Sequence, residues 1–387
     1  MHITRRQTKS IQIGSVKIGG GAPVSVQSMT IPHPRDVKAT VEQIHQLEQA
    51  GCELVRVAVP DDEAANALSS IKSQISIPLI ADIHFDHRLA LAAAKVVDCV
   101  RINPGNIGPW WKMAEVLQAV TDNGIPLRVG VNGGSLERPL LEKYGYPTAE
   151  ALAESALNAV HAIEDAGFTN MKVSLKASDV HMAVDAYWLF SHQSDYPLHI
   201  GITEAGTAMT GAVKSSVGLG WLLSQGIGDT LRVSLAADPV EEVRVGFEIL
   251  KSLELRHRGV NVIACPTCGR VEIDVVRMAN ELEQRLGHIT KPLNVSVLGC
   301  VVNGIGEGKE ADIGIAGGQG MGILFKKGKL VKKVPSEELV DLLVEEVERM
   351  ALETDEETSA SVASLPDCEE ALSFSQNSRE LPVLPNR

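Results

Sequence analysis

Two short cysteine turns carry the most distinctive chemistry in this chain. Cys265-Pro-Thr-Cys268-Gly and Gly299-Cys300-Val-Val-Asn-Gly-Ile-Gly-Glu307 place three of the six cysteines in glycine-flanked segments, where thiolates can converge. Such spacing suits a metal. A structural zinc knuckle wants four closed ligands, usually Cys or His, and no fourth cysteine is near, because Cys368 lies beyond a polar, acidic stretch. An iron–sulfur cluster also takes thiolates and tolerates a non-cysteine ligand on an iron that must meet substrate. Glu307 is the carboxylate on offer. Spacing alone leaves both metals open.

A second set of polar residues lies on short β-rich runs. Arg56 stands in Leu-Val-Arg-Val, Asp82 and His84 in Ala-Asp-Ile-His-Phe, Arg101 and Asn103 in Val-Arg-Ile-Asn, and Arg128 and Asn132 in Leu-Arg-Val-Gly-Val-Asn. Lys172, Ser174 and Lys176 follow in Met-Lys-Val-Ser-Leu-Lys, then Glu204 in Ile-Thr-Glu-Ala-Gly, and Arg232 and Ser234 in Leu-Arg-Val-Ser. Within most runs these residues are two apart and so share one strand face. Four arginines and Lys176 come from five runs, with only Asp82 and Glu204 on that face to balance them. An anionic, phosphorylated ligand is the economical partner, since guanidinium forks match phosphate oxygens. Alone, His84 reads more simply as a satisfied polar residue than as a catalyst. Glu204, beside Gly206 in a positive mouth, has a reason to act as acid or base. No Walker or dinucleotide-binding spacing is present.

The runs that must position these residues span 24–30, 54–60, 78–85, 99–105, 126–134, 171–177, 198–206 and 230–238, with helical stretches such as 39–50, 89–97, 149–166 and 240–255 between them. Eight strand–helix repeats predict an α/β fold, a (β/α)8 TIM barrel whose chemistry gathers at the C-terminal strand ends. Past residue 256 the pattern changes to strands at 260–264, 293–298, 311–316, 322–325 and 329–334, with helices at 271–286 and 336–352. The expected organisation is a substrate-binding barrel over 1–256, a small α+β domain carrying the cysteine turns over 257–353, which becomes an iron–sulfur domain if iron is the metal, and a disordered Ser-, Glu- and Asp-rich tail over 354–387. Cys52 and Cys99 read as packing thiols.

At 387 residues with a formal charge of −13, the chain lacks the basic stripe of a nucleic-acid binder. No apolar run reaches the roughly 18 residues that cross a membrane, and the N-terminus has no apolar signal core. The expectation is a cytoplasmic protein whose cysteines are thiols or metal ligands.

In this order, the cysteine turns and strand-end motifs resemble the bacterial 4-hydroxy-3-methylbut-2-en-1-yl diphosphate synthase family over about residues 5–350. The resemblance implies a [4Fe–4S] cluster on Cys265, Cys268, Cys300 and Glu307. It implies reductive ring opening and dehydration of 2-C-methyl-D-erythritol 2,4-cyclodiphosphate, with electrons from flavodoxin or ferredoxin. Family substrate-binding positions fall on Arg56, His84, Arg101, Arg128, Asn132, Lys176, Arg232 and Ser234, and the family's catalytic carboxylate on Glu204. The family's head-to-tail homodimer, in which each cluster domain caps the other barrel, suits a chain whose eighth helix runs back toward the N-terminal barrel end. Departures from the family pattern fall at Ile31-Pro-His-Pro34, at Met209-Thr210, and at Ile305, where proline is usual. Two rivals stand beside it: a non-redox phospho-ligand-binding barrel with a structural zinc module, and a radical enzyme using S-adenosylmethionine, whose Cys-x3-Cys-x2-Cys spacing is absent.

Overall fold

The computed structural model describes residues 3–300, 310–318 and 320–353. Glu307, Ile305, Cys368 and the tail expected to be disordered lie outside them. Contacts divide the chain into two compact units that part between His257 and Arg258.

The first unit is the expected barrel. Its strands are β3 (Ser25–Met29), β4 (Leu54–Ala58), β5 (Leu79–Asp82), β6 (Cys99–Ile102), β7 (Leu127–Asn132), β8 (Met171–Lys176), β9 (His199–Ile200) and β10 (Thr230–Leu231). They run parallel in the order β8-β7-β6-β5-β4-β3-β10-β9. A parallel bridge between Val173 and Leu198 closes the ring. Each strand is followed by a helix, and five aspartates, Asp36, Asp61, Asp86, Asp179 and Asp238, cap helix N-termini by accepting from backbone N–H groups. A short capping side chain satisfies a donor that the helix cannot, so these βα turns at the C-terminal end are fixed.

Outward-facing Val55, Val57, Ala81, Val100, Val129, Val173 and Leu175 pack with the helices in one continuous core. Two features depart from the sequence expectation. The last two strands are only two residues long, so residues expected at the ends of their runs, including Glu204 and Ser234, belong to mouth loops. An unanticipated hairpin, β1 (Ser10–Ile13) with β2 (Val16–Gly19), precedes the barrel. Its Ile11, Ile13 and Ile18 pack on Leu54, Ile80 and Cys99, the first inward residues of β4, β5 and β6, and plug the N-terminal end.

The second unit is a five-stranded sheet, β11 (Val260–Ala264), β12 (Leu293–Leu298), β13 (Ile313–Gly317), β14 (Met321–Lys326) and β15 (Lys329–Pro335), in sequence order. β11, β12 and β13 are parallel, and β13, β14 and β15 are antiparallel. Its core includes Met278, Leu282 and Leu286 from the helix Val275–Leu286 and Leu339, Leu343 and Val347 from the helix Leu339–Leu352. The first helix starts four residues later than the sequence suggests, because Asp274 accepts from Arg277 N–H at 3.0 Å and caps it there. Among the described residues no helix is long and apolar enough to cross a membrane.

Candidate functional site

Strand register aligns the barrel cations. Asp82 on β5 pairs with Arg101 on β6, Arg101 with Arg128 on β7, and Arg128 with Lys172 on β8. All four are buried. Arg101 Nη1 donates to Asp82 Oδ1 at 2.8 Å and lies 3.0 Å from His84 Nε2. Arg56 Nε stands 3.6 Å from the other carboxylate oxygen and 3.3 Å from Met29 Sδ. Burial alone would raise the Asp82 carboxyl, but Arg56, His84 and Arg101 hold it well below the usual carboxylate range. Burial likewise pushes Arg56 down to about 10 against the opposing pull of Asp82.

Arg128 donates from Nε and Nη2 to Ser174 Oγ at 3.2 and 3.0 Å, and its Nη1 has no partner. Lys176 is buried, and its ammonium is pushed well below the usual lysine range by burial and then by Arg128, Arg56, Arg232 and Arg101. Two glycines give these cations room. A Cβ at Gly130 would come within 2.9 Å of Arg101 Nε, and one at Gly201 within 2.8 Å of Lys176 Nζ. Neither glycine was singled out in the sequence, although glycine inside a strand is a known sign of close approach.

The charge balance expected at the mouth needs one correction. Arg232 is clamped by Glu242, with Nε to Oε2 at 3.0 Å and Nη2 to Oε1 at 2.9 Å. Glu242 lies on the helix Pro239–Ser252, is buried, and also accepts from Ser28 Oγ and Leu235 N–H. A helix residue reaching in between strands has no period-two signal, so strand patterning could not find it. Glu204, counted in the sequence as a balancing carboxylate, is instead exposed on its loop. Its φ of 52° is left-handed, a conformation that costs a non-glycine residue about 1 kcal/mol or more.

Asn132, Lys176 and Glu204 line one cavity of about 540 Å³, together with Asn106, Ser135 and Thr203. Arg56, Arg101 and Arg128 are packed deeper, Ser234 is half-buried, and His84 is largely exposed at the rim. Among the described residues, Arg56, Arg101, Arg128, Lys172, Lys176 and Arg232 face only Asp82 and Glu242 as buried carboxylates. That surplus of positive charge can hold a multiply charged anion.

In the second unit, Cys265 follows β11 and Cys300 follows β12, at the same end of two adjacent parallel strands. Cys265 N–H donates to Val297 O at 3.0 Å, Val271 N–H to Cys268 O at 3.0 Å, and Glu272 N–H to Gly299 O at 2.8 Å. These bonds stitch the Cys265–Cys268 turn to the segment before Cys300. All three are free thiols, with Cys268 exposed and the others half-buried. Among the described residues no three or more His, Cys, Asp or Glu side chains are already gathered around a metal-sized space. The donor chemistry and shared strand ends nevertheless fit a thiolate-bound metal or cluster. Cys52 and Cys99 are buried, and burial pushes their thiols up to about 12 and about 11, as suits packing residues.

Comparison with known proteins adds to this geometry. The GcpE TIM-barrel domain matches residues 8–247, and the GcpE protein C-terminal domain matches 261–349. The chain is 56% identical over 350 residues to the 4-hydroxy-3-methylbut-2-en-1-yl diphosphate synthase (flavodoxin) of Geobacter sulfurreducens, covering 90% of this chain and 99% of that one. It is 54% identical over 352 residues to the protein of the same description from Symbiobacterium thermophilum, covering 91% and 95%. Among solved structures, dihydropteroate synthase from Stenotrophomonas maltophilia is 14% identical with a TM-score of 0.48, covering 64% of this chain and 98% of that one. With both domain matches in sequence order and more than half of the aligned residues identical to these synthases, the chain belongs to the GcpE family.

Proposed function

We infer that this chain is an iron–sulfur oxidoreductase that opens the ring of 2-C-methyl-D-erythritol 2,4-cyclodiphosphate and removes a hydroxyl as water, giving 4-hydroxy-3-methylbut-2-enyl diphosphate for isoprenoid synthesis. The observation that carries the reading is the buried surplus of cations at the barrel mouth in a chain whose relatives are named for this synthase. Arg56, His84, Arg101, Arg128, Asn132, Lys176, Arg232 and Ser234 bind the diphosphate, and Glu204 moves a proton at the reacting end. Cys265, Cys268, Cys300 and Glu307 hold a [4Fe–4S] cluster. When bound, the cluster supplies electrons and a Lewis-acidic iron. The barrel fixes the orientation of the substrate relative to them.

Flavodoxin is the electron donor, as the relatives' names suggest. The thiol state of Cys52 and Cys99 suits the cytoplasm. The working form is a head-to-tail homodimer. Ile31, Phe85, Trp110, Tyr146 and Met209 stand exposed on segments that follow β3, β5, β6, β7 and β9, an apolar rim that asks for cover. The cluster domain of a second copy is the cover we assign to it.

The test is metal analysis and turnover of anaerobically prepared protein. We expect about four irons and four sulfides per chain, a brown colour, and conversion of the cyclodiphosphate with reduced flavodoxin. Colourless protein holding stoichiometric zinc and showing no reduction would replace this reading with a phospho-ligand-binding barrel.

A further inference from the structure

TIM barrels usually fill their interior with branched apolar side chains, but the layer beneath this clamp is polar. Ser25, Gln27, Lys172, His199 and Thr230 are all buried there. Lys172 Nζ, His199 Nε2, Ser25 Oγ, both amide atoms of Gln27 and Arg128 Nη1 have no hydrogen-bond partner. A buried ammonium without a counter-ion is costly, and the surroundings of Lys172 give it none. Facing it are Arg56 from β4, Cys99 from β6, Arg128 from β7 and His199 from β9. Lys176 lies further up its own strand, and Tyr187 stands behind, donating to His199 O at 2.8 Å. The one carboxylate in the register row, Asp82, is three strands away and already holds Arg56 and Arg101.

We propose that Lys172 is a proton-loading residue: it takes up a proton when the clamp above it fills with the anionic substrate, and so brings into the site the proton that turnover consumes. The inference rests on the function proposed above. In that reaction a dianionic cyclodiphosphate, two electrons from reduced flavodoxin and one proton give a trianionic open-chain diphosphate and water. One carbon–oxygen bond breaks to leave its oxygen on phosphate, a second breaks to release the hydroxyl, and a carbon–carbon double bond forms. One proton must therefore enter for each turnover.

The geometry lets Lys172 respond to the ligand. Burial, then Arg128 and Arg56, push its ammonium down to about 7 despite the opposing pull of Cys99, so at pH 8 the empty barrel holds it largely uncharged. Two negative charges arriving above Arg128 offset the like-charge field and favour the ammonium. Arg128 cannot share this role, because a guanidinium stays protonated in proteins. Lys176 and His199 can take up protons too, so substitution of Lys172 is what isolates its share.

The experiment is calorimetric titration of the cyclodiphosphate into the holoenzyme, without reductant, at pH 8 in two buffers of different ionisation enthalpy. Each phosphorus of this ligand carries one strongly acidic hydroxyl, so the ligand does not titrate near pH 8 and any uptake is the protein's. Wild type should take up about one proton per site or more, and Lys172→Met should bind with that uptake lowered by more than about half a proton. Lys172→Arg, charged in both states, should show the same deficit, which covers the case in which the methionine variant fails to fold. Absence of uptake by wild type, or equal uptake by all three proteins, overturns the proposal. If none of them binds the cyclodiphosphate, the assigned function fails instead. Sulfate, a dianion that does not titrate in this range, then fills the same clamp and decides the Lys172 question by the same criteria.

Discussion

Each cation in the barrel was visible as a residue type at a strand position, and its partner mostly was not. Arg56, Arg101, Arg128, Lys176 and Arg232 could be read from alternation, because a strand repeats its face every second residue. Glu242, which neutralises Arg232, and Gly130 and Gly201, which make room for Arg101 and Lys176, depend on how neighbouring elements approach. That information is not local. Glu204 is the residue whose exposed, left-handed placement calls for a functional reason. Glu204→Gln should bind substrate within roughly tenfold of wild type and lower the rate by about 10² to 10⁴, the usual span for a proton-transfer group. Steady-state kinetics with dithionite as reductant check this, and unchanged turnover would remove Glu204 from the proton-transfer step. Lys172 has a stability signature of its own. Its folded-state value near 7 lies below the ordinary lysine value of about 10.4, so between these limits the unfolded chain binds more protons than the fold. The penalty is fully present below about pH 7 and fades as pH rises toward 10. Lys172→Met should therefore stabilise the protein more at pH 7 than at pH 10, as read from paired denaturant titrations. An equal difference at both pH values would show that Lys172 has an ordinary pKa in the fold.

At the level of elements, the eight strand–helix repeats were legible because strand and helix periods alternate cleanly along the chain. The shortness of β9 and β10 was not, since apolar alternation continues past His199–Ile200 and Thr230–Leu231 into the mouth loops. The β1–β2 hairpin escaped notice because four-residue strands bearing three isoleucines carry little periodic signal. Its task in the fold is to seal the barrel end away from the chemistry. Ile13→Ala, at a fully buried position, should cost about 2–4 kcal/mol of stability while leaving substrate KM unchanged. Thermal melts and kinetics on one preparation separate the two effects, and a change in KM at undiminished stability would refute the division of labour. Gly201 makes the opposite case. Gly201→Ala would press a methyl to 2.8 Å of Lys176 Nζ and 2.6 Å of the Arg232 backbone oxygen, so both the lysine and the backbone at Arg232 must shift. Substrate affinity should fall about tenfold or more, because an ammonium moved out of contact loses a charge-assisted hydrogen bond. Calorimetry reads this directly, and wild-type affinity would mean that Lys176 does not touch the diphosphate.

The whole molecule poses the question of how the cysteines meet the diphosphate. Near the end of the first unit, Arg256 Nη1 donates to Val24 O at 3.0 Å and pairs with Glu53 Oε2 at 2.6 Å, residues that precede β3 and β4. The chain thus leaves the barrel at its N-terminal end, opposite the mouth where Asn132, Lys176 and Glu204 share a cavity. Strands of four to six residues at about 3.3 Å each, with their loops, separate the two ends by roughly 20–30 Å. The function proposed above requires the cysteines to reach that mouth, and the proposed head-to-tail dimer makes a prediction that can be checked. Ile31, Phe85, Trp110, Tyr146 and Met209 are exposed on segments that follow the barrel strands. Loss of one thiolate in Cys268→Ser should abolish cluster binding and turnover while leaving the barrel folded. Glu204→Gln chains keep the cysteines and lose the barrel carboxylate. Co-expressed and isolated through two different affinity tags, the mixed dimer contains one site with both residues intact, and should recover about half of wild-type activity, where each parent alone has almost none. Mixed dimers shown to form yet remaining inactive would eliminate the shared site and require the two domains of one chain to come together by a hinge near His257.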